Sequence, residues 1–529
     1  MSALAQLAGP IGCAGLALLL VARRRELRIA GLAGWAAGLG GLALYLLPDL
    51  SRTALVGVAL GGLVLAVALA GLLTRYPYLL ALLTLACIPV RLPVDIGSER
   101  ANLLVPLYGV VAALALTLGW RLARGDTRSR ELGPVTWPLA AFVLWTGLSL
   151  TWTLDVKKGA IFVAAFVLPF GLLAIGFARL PWRGRWLTWL WGGLVGTALA
   201  YATVGVYQWA TRDVFWNPNV IVGNAYAPFF RVNSVFWDPS IYGRYLTVAI
   251  LVTLAGILLG GVRGRRGLGL YVVVVATWWG LALSFSQSSF VALAAGVVVA
   301  AAVAWGRRAV LALVVLGLLT VVVSLAVPQV RHEVVGKSSR GLNKVTSGRS
   351  SLVSQGLRIA ADHPVAGVGA GGFRRAYAER TGVEGDDPKR VASHTTPVTI
   401  AAEGGIVGLV LFCWLIAAAL AATLLRLGRG FTSRTSLALG VGLVAITVHS
   451  VFYAAFIEDP MTWALLGLIG VVARVPKKRA PAPPPAPSPP AGGDGSGQDV
   501  PGSDYAHATV VRMRDTEAVE PAPRPEGAA

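Results

Sequence analysis

Apolar residues run along this chain in blocks of about twenty, each closed by a short link that carries charge, glycine or proline. A bilayer core about 30 Å thick needs roughly 20 apolar residues per helix. Fifteen stretches meet that pattern, at 4–21, 29–47, 53–73, 77–90, 102–120, 136–151, 159–178, 187–209, 241–260, 268–284, 289–304, 309–327, 398–424, 436–456 and 461–473. The pattern predicts an all-α polytopic membrane protein of about 15 transmembrane helices. Two longer polar stretches interrupt it, 210–240 and 328–397, and short helices are expected in the second.

Composition agrees with the pattern: 56% of the 529 residues are hydrophobic and 13% charged, where a soluble domain carries about 25% charged residues. The net charge of +21 would suggest nucleic acid in a soluble chain, but here it follows the alternation of the links. The links Arg23–Arg28, Arg75, Arg121–Arg130, Arg179–Arg185, Arg263–Arg266, Arg307–Arg308, Arg426–Arg434 and Arg474–Arg479 hold 24 basic residues, and the short links between them hold few. Basic links face the cytoplasm. This puts the N-terminus and both long loops outside and the C-terminus inside, in a cell (inner or plasma) membrane. The run Ala3–Leu20 has no charged segment ahead of it and Arg23, Arg24 and Arg25 behind it, the flanks of an outside-to-inside span rather than of a cleaved leader. Residues 475–529 turn to Pro, Ala, Gly and Ser and read as a disordered cytoplasmic tail. The three cysteines lie in apolar stretches, which supports neither disulfides nor a cysteine metal site.

Polar groups beside a bilayer are costly and therefore informative. The loop 210–240 is rich in aromatic residues, and Arg231 stands isolated among them. Such a guanidinium either has a specific anionic partner or snorkels to headgroups. The loop 328–397 holds 11 Lys+Arg against 6 Asp+Glu, an excess that favours an anionic ligand. Residues 347–363 predict a helix ended by Pro364, followed by a turn with Gly367, Gly369, Gly371 and Gly372. No strand or lysine of a nucleotide-binding loop accompanies these glycines, so close backbone packing is the simpler reading. His394 precedes the thirteenth span and Glu403 follows nine residues later; the histidine is either a proton acceptor or an interfacial cap. His332, His363 and His394 show no metal-ligand spacing, and no metal site is expected.

The combination resembles the O-antigen ligase and O-antigen polymerase superfamily. Four elements carry the resemblance: Arg231, Ser234, Phe236, Asp238 and Pro239 as Arg–x–x–Ser–x–Phe–x–Asp–Pro; the serine-rich SFSQSSF; the block SGR…DHPVAGVGAGGF; and His394 with EGGIVG downstream. The resemblance implies a twelve-span core at 77–474, extended by three additional helices in 1–76. It implies a metal- and cofactor-independent, inverting glycosyltransferase of the cell envelope, in polysaccharide biosynthesis. The donor is a glycan on a polyprenyl-pyrophosphate carrier within membrane lipid. The acceptor is a hydroxyl of a glycolipid, glycan or protein, outside the cytoplasm, with no nucleic acid involved. Arg231, Arg349 and Arg358 would bind the pyrophosphate and His394 would take the acceptor proton, with Glu403 orienting His394 or capping a helix. Where relatives often read Ser-Arg in the serine-rich element, this chain has Ser286-Gln287, so the cationic contact the resemblance implies there is either absent or supplied by Arg349, Arg358 or Arg244. A transporter or flippase of lipid-linked glycan is the alternative class; its usual internal repeat is not evident.

Overall fold

The computed structural model describes residues 2–47, 52–96, 99–180, 185–227, 229–260, 264–326, 349–382, 393–425, 427 and 431–474. The expected tail, and 327–348 and 383–392 of the second long loop, lie outside them. The helices are α1 (Ser2–Val21), α2 (Arg25–Leu46), α3 (Arg52–Arg75) and α4 (Leu79–Cys87), then a hairpin β1 (Leu92–Ile96) and β2 (Glu99–Leu103), then α5 (Val105–Ala123), α6 (Thr136–Leu148), α7 (Val156–Phe162) and α8 (Leu168–Arg179). They continue as α9 (Arg185–Thr211), α10 (Pro218–Tyr226), α11 (Pro239–Gly260), α12 (Gly264–Ser284), α13 (Gln287–Trp305) and α14 (Arg307–Ala326). The last are α15 (Arg349–Asp362), α16 (Phe373–Thr381), α17 (Thr396–Leu424), α18 (Phe431–Phe452) and α19 (Pro460–Arg474).

The chain is an all-α, multi-pass membrane protein. Among the described residues 11 helical segments are long and apolar enough to cross a bilayer, and Leu60–Arg75 and Pro460–Ala473 are shorter apolar helices. The stretch at 77–90 departs most from its expectation. Its helix α4 has 9 residues, about 13 Å of rise, because Pro89 and Pro93 flank charged Arg91 and the chain turns into the antiparallel hairpin, with Asp95 opposite Arg100. Between α7 and α8 a π-helical turn, Val163–Val167, widens the segment; such turns often sit at functional sites.

Helices α1 and α2 are part of the core. Glycines 12, 15, 31, 34 and 38 let their backbones approach so closely that a Cβ at Gly15 or Gly38 would strike the facing main chain. Trp35 donates from its ring nitrogen to the Leu168 carbonyl at 2.9 Å, tying α2 to α8.

Contacts between links sort them to two ends of the bundle. At one end Gln6 reaches the Thr151 carbonyl at 3.3 Å, the Leu154 amide reaches Val368 at 3.1 Å and Arg91 reaches the Glu458 carbonyl at 2.8 Å. At the other, Arg25 caps α5 through the Leu122 carbonyl at 2.6 Å and Arg130 reaches Val21 at 3.0 Å. Among the described residues the second end holds the arginines of the links at 23–28 and 121–130, and the first holds contacts of both long loops with their neighbours.

Candidate functional site

The segment from Arg231 to Pro239 is folded by its own polar side chains. Asn224 clamps Arg231, accepting from its amide and donating to its carbonyl, both at 2.9 Å. Gln208 accepts from the Ser234 amide at 2.7 Å and donates to the Ser234 carbonyl at 2.9 Å, holding Ser234 at φ 52°. Phe236 is buried against Tyr201, Tyr242 and Tyr245, and Asp238 accepts from the Ser240 amide at 2.6 Å to start α11. Ser234, Phe236, Asp238 and Pro239 thus build the loop that presents Arg231. The half-buried Arg231 donates from Nε to the Ser284 carbonyl at 3.2 Å, so the loop lies on the end of α12 where the serine-rich element begins.

That element forms a buried polar seam. Ser286 and Ser289 hydroxyls are 2.8 Å apart, Ser288 lies 3.1 Å from His449 Nε2, and Ser289 donates to the Ser240 carbonyl at 3.4 Å. On α11 beside them Arg244 pairs through Nε with Asp459 at 3.0 Å and through Nη1 with the Ala455 carbonyl at 3.0 Å. The structure therefore puts Arg244, rather than Arg358, next to the serine-rich element.

The second half of the site rests on a break in α17. Gly405 has φ 63° within the helix, which frees the peptide groups on either side of it. The glycine-rich turn fills the gap: Val368 and Gly369 amides donate to the Ala402 and Glu403 carbonyls, both at 2.9 Å, and the Ile406 amide donates to Pro364 at 2.8 Å. Gly367, Gly369 and Gly371 all have positive φ, and a Cβ on them would collide with the backbone of α17, of the link between α6 and α7, and of α7, respectively. The glycines serve close packing, as expected, and the DHPVAGVGAGGF and EGGIVG blocks are two halves of one joint. Alanine at Gly369 meets both a left-handed φ of 84° and the Thr153 backbone and should cost well above about 2 kcal/mol. At Gly382, φ 64° with open space around it, alanine should cost only about 1–2 kcal/mol. Thermal unfolding of the two purified variants checks the order.

Glu403 accepts from the Phe373 amide at 3.3 Å, and Gly371 also faces it. Its carboxylate therefore caps α16, where a negative charge is favoured. His394 itself is half-buried just ahead of α17, at φ 61°. Left-handed φ is uncommon for histidine; here Ser393 holds it in place, donating to the Thr395 carbonyl at 2.8 Å and accepting from the Thr395 amide at 3.2 Å. Arg358 is exposed on α15. Arg349 begins that helix, and its side chain lies outside the described residues.

A cavity of about 340 Å³ opens between α6, α7, α17 and the hairpin, lined among others by Arg91, Trp145, Lys158, Glu403, Tyr453 and Glu458. Arg231, Arg358 and His394 are not among its described lining residues; Thr396 and Thr399, just past His394, are. Lys158 and Arg374 both pair with Glu99 on β2, pinning the hairpin beside the cavity. Burial pushes the Glu99 carboxyl up, but these two cations outweigh it and hold it below its ordinary value. At Glu458 burial wins and raises the carboxyl despite Arg91 and Arg244 nearby. This proton-holding group was missed by motif reading, although the run Ile457-Glu458-Asp459-Pro460 between two apolar spans was a legible signal. Among the described residues no three His, Cys, Asp or Glu are grouped to hold a metal.

Residues 270–413 match the family model described as O-antigen ligase. No curated protein matches the chain. The match spans α12 to the first half of α17, taking in Arg349, Arg358, His394, Glu403 and the glycine joint. It supports the O-antigen ligase and polymerase superfamily and, in general terms, a membrane transferase or ligase. Arg231, Lys158 and Glu458 lie outside it.

Proposed function

We propose, from the O-antigen ligase match as premise, that the chain transfers a glycan from a polyprenyl-pyrophosphate carrier to an acceptor hydroxyl on the extracytoplasmic face. The observation that supports this reading is the joint between the glycine-rich turn and the broken α17, beside a cavity whose lining includes Arg91, Lys158, Glu403 and Glu458 and, just past His394, Thr396 and Thr399. The arginine-rich end faces the cytoplasm by the charge rule, so the cavity faces outward, with the C-terminal tail inside. Residues 77–474 carry the machinery and 1–76 buttress it.

In this reading His394 takes the hydroxyl proton as the acceptor oxygen bonds to the anomeric carbon. The bond from that carbon to the pyrophosphate oxygen breaks on the opposite face, inverting the centre. Charge grows on the leaving pyrophosphate, and Arg231 and Arg349 offset it; guanidinium suits this because it stays protonated and binds phosphate oxygens bidentately. Arg91 and Lys158 give the acceptor's polar groups partners, and Trp145 offers a ring face for sugar.

The test is the purified chain in proteoliposomes with a polyprenyl-pyrophosphate-linked glycan and a hydroxyl acceptor. Glycosylated acceptor and free polyprenyl pyrophosphate should appear together. Movement of intact donor between leaflets without either product would replace this reading with that of a transporter.

A further inference from the structure

At the arginine-rich end, α3, α4, α5 and α8 leave a small cleft of about 30 Å³, lined by Arg121 and Arg179 with Leu73, Pro77, Leu118 and Leu180. Arg179 is buried; its Nη2 reaches Asp126 at 3.0 Å and its Nε lies 3.1 Å from Glu131, while its Nη1 meets no partner among the described residues. The half-buried Arg121 accepts from the Asp126 amide at its carbonyl, at 3.0 Å, but its guanidinium makes no ion pair among the described residues, with the Asp126 charge acting on it from farther off. Around them Arg28, fully buried, pairs with Glu131 at 2.6 Å, and Arg128 pairs with Asp126 at 2.7 Å. Asp126 and Glu131 thus pair with three arginines, Arg28, Arg128 and Arg179, and Arg121 adds a fourth positive charge beside them. Buried positive charge without a counter-ion is costly, and the cleft wants an anion.

The cleft adjoins a second cavity of about 330 Å³ that shares Leu180 and is otherwise lined by Tyr78, Ala81, Leu82, Trp186, Trp189 and Leu190. No charged residue is among them, and Tyr78 stacks on Trp186 with ring centres 4.6 Å apart. A basic pocket that shares Leu180 with an aromatic trough matches a molecule with phosphate oxygens at one end and hydrocarbon beyond. We propose that this site holds an anionic glycerophospholipid of the bilayer, its phosphate on Arg121 and Arg179 and an acyl chain in the trough between α4 and α9. Basic pockets between helices on the cytoplasmic side are where such headgroups bind. The site stands apart from the transfer reaction and does not depend on it.

Native mass spectrometry of the full-length protein, in detergent micelles with equal phosphatidylglycerol and phosphatidylcholine, tests this. The wild type should retain phosphatidylglycerol. Arg121→Gln, which breaks no ion pair, should retain it at least about tenfold less, the loss expected for one charge-assisted contact. Trp189→Ala should also weaken retention, and Arg307→Gln on a different basic link should leave it unchanged. Equal retention of the two lipids, or wild-type retention by Arg121→Gln at unchanged helicity, overturns the proposal. So does thermal stabilisation by inorganic phosphate, abolished by Arg121→Gln, with no preference between the lipids; the site would then take a free anion.

Discussion

Replacing His394 with alanine is expected to slow glycan transfer by about a hundred- to ten-thousand-fold, the range of a lost general base. The geometry lets the imidazole be separated from the backbone it sits on. His394 is left-handed, at φ 61°, a conformation asparagine tolerates and alanine resists. His394→Asn should therefore keep the thermal stability of the parent and still lose transfer, whereas His394→Ala should lose both. Glu458 provides the contest. It lines the cavity, and burial raises its carboxyl, so it too can hold a proton above the ordinary carboxylate range. With His394 as base, Glu458→Gln should be the milder variant and should alter mainly acceptor KM. Were Glu458→Gln to abolish turnover while His394→Asn keeps most of it, the carboxylate would be the base and the histidine a structural residue.

Length and hydropathy made the spans legible, because every apolar block must satisfy its backbone within itself once in lipid. The same logic misread 77–90. Its apolar residues continue past Cys87, but Pro89, Arg91 and Pro93 turn the backbone into a hairpin whose Glu99 is held by Lys158 and Arg374. Nothing local predicts those partners. The joint between Gly367–Gly371 and Gly405 was half legible: glycines at close spacing announced tight packing, but not that the packing partner was the helix carrying the other motif. The cavity was the least legible part. Arg91 reaches Glu458 across 367 positions of sequence, and neither Arg91 nor Lys158 lies in a recognisable pattern. Glu403, read from EGGIVG as orienting His394 or capping a helix, accepts from the Phe373 amide at the start of α16, a helix that its own position in sequence does not announce as the one it caps.

Arginine 231 is the residue where geometry and chemistry make the sharpest demand. Asn224 fixes its backbone from both sides and its Nε is committed to the Ser284 carbonyl at 3.2 Å, which sets the plane of the guanidinium. Lysine has no equivalent of Nε and no plane to set. Arg231→Ala should cost about 2–4 kcal/mol of transition-state stabilisation, on the scale of a lost oxyanion donor, a fall in kcat/KM of roughly thirty- to a thousandfold. Arg231→Lys should recover little of it. Asn224→Ala keeps the guanidinium and loosens its support, so it should fall between the wild type and Arg231→Ala, and lose further ground when combined with Arg231→Lys. Full activity in Arg231→Ala, at normal protein level in membranes, would remove this residue from the pyrophosphate site and leave Arg349, with Arg244 behind the serine-rich element, to neutralise the leaving group.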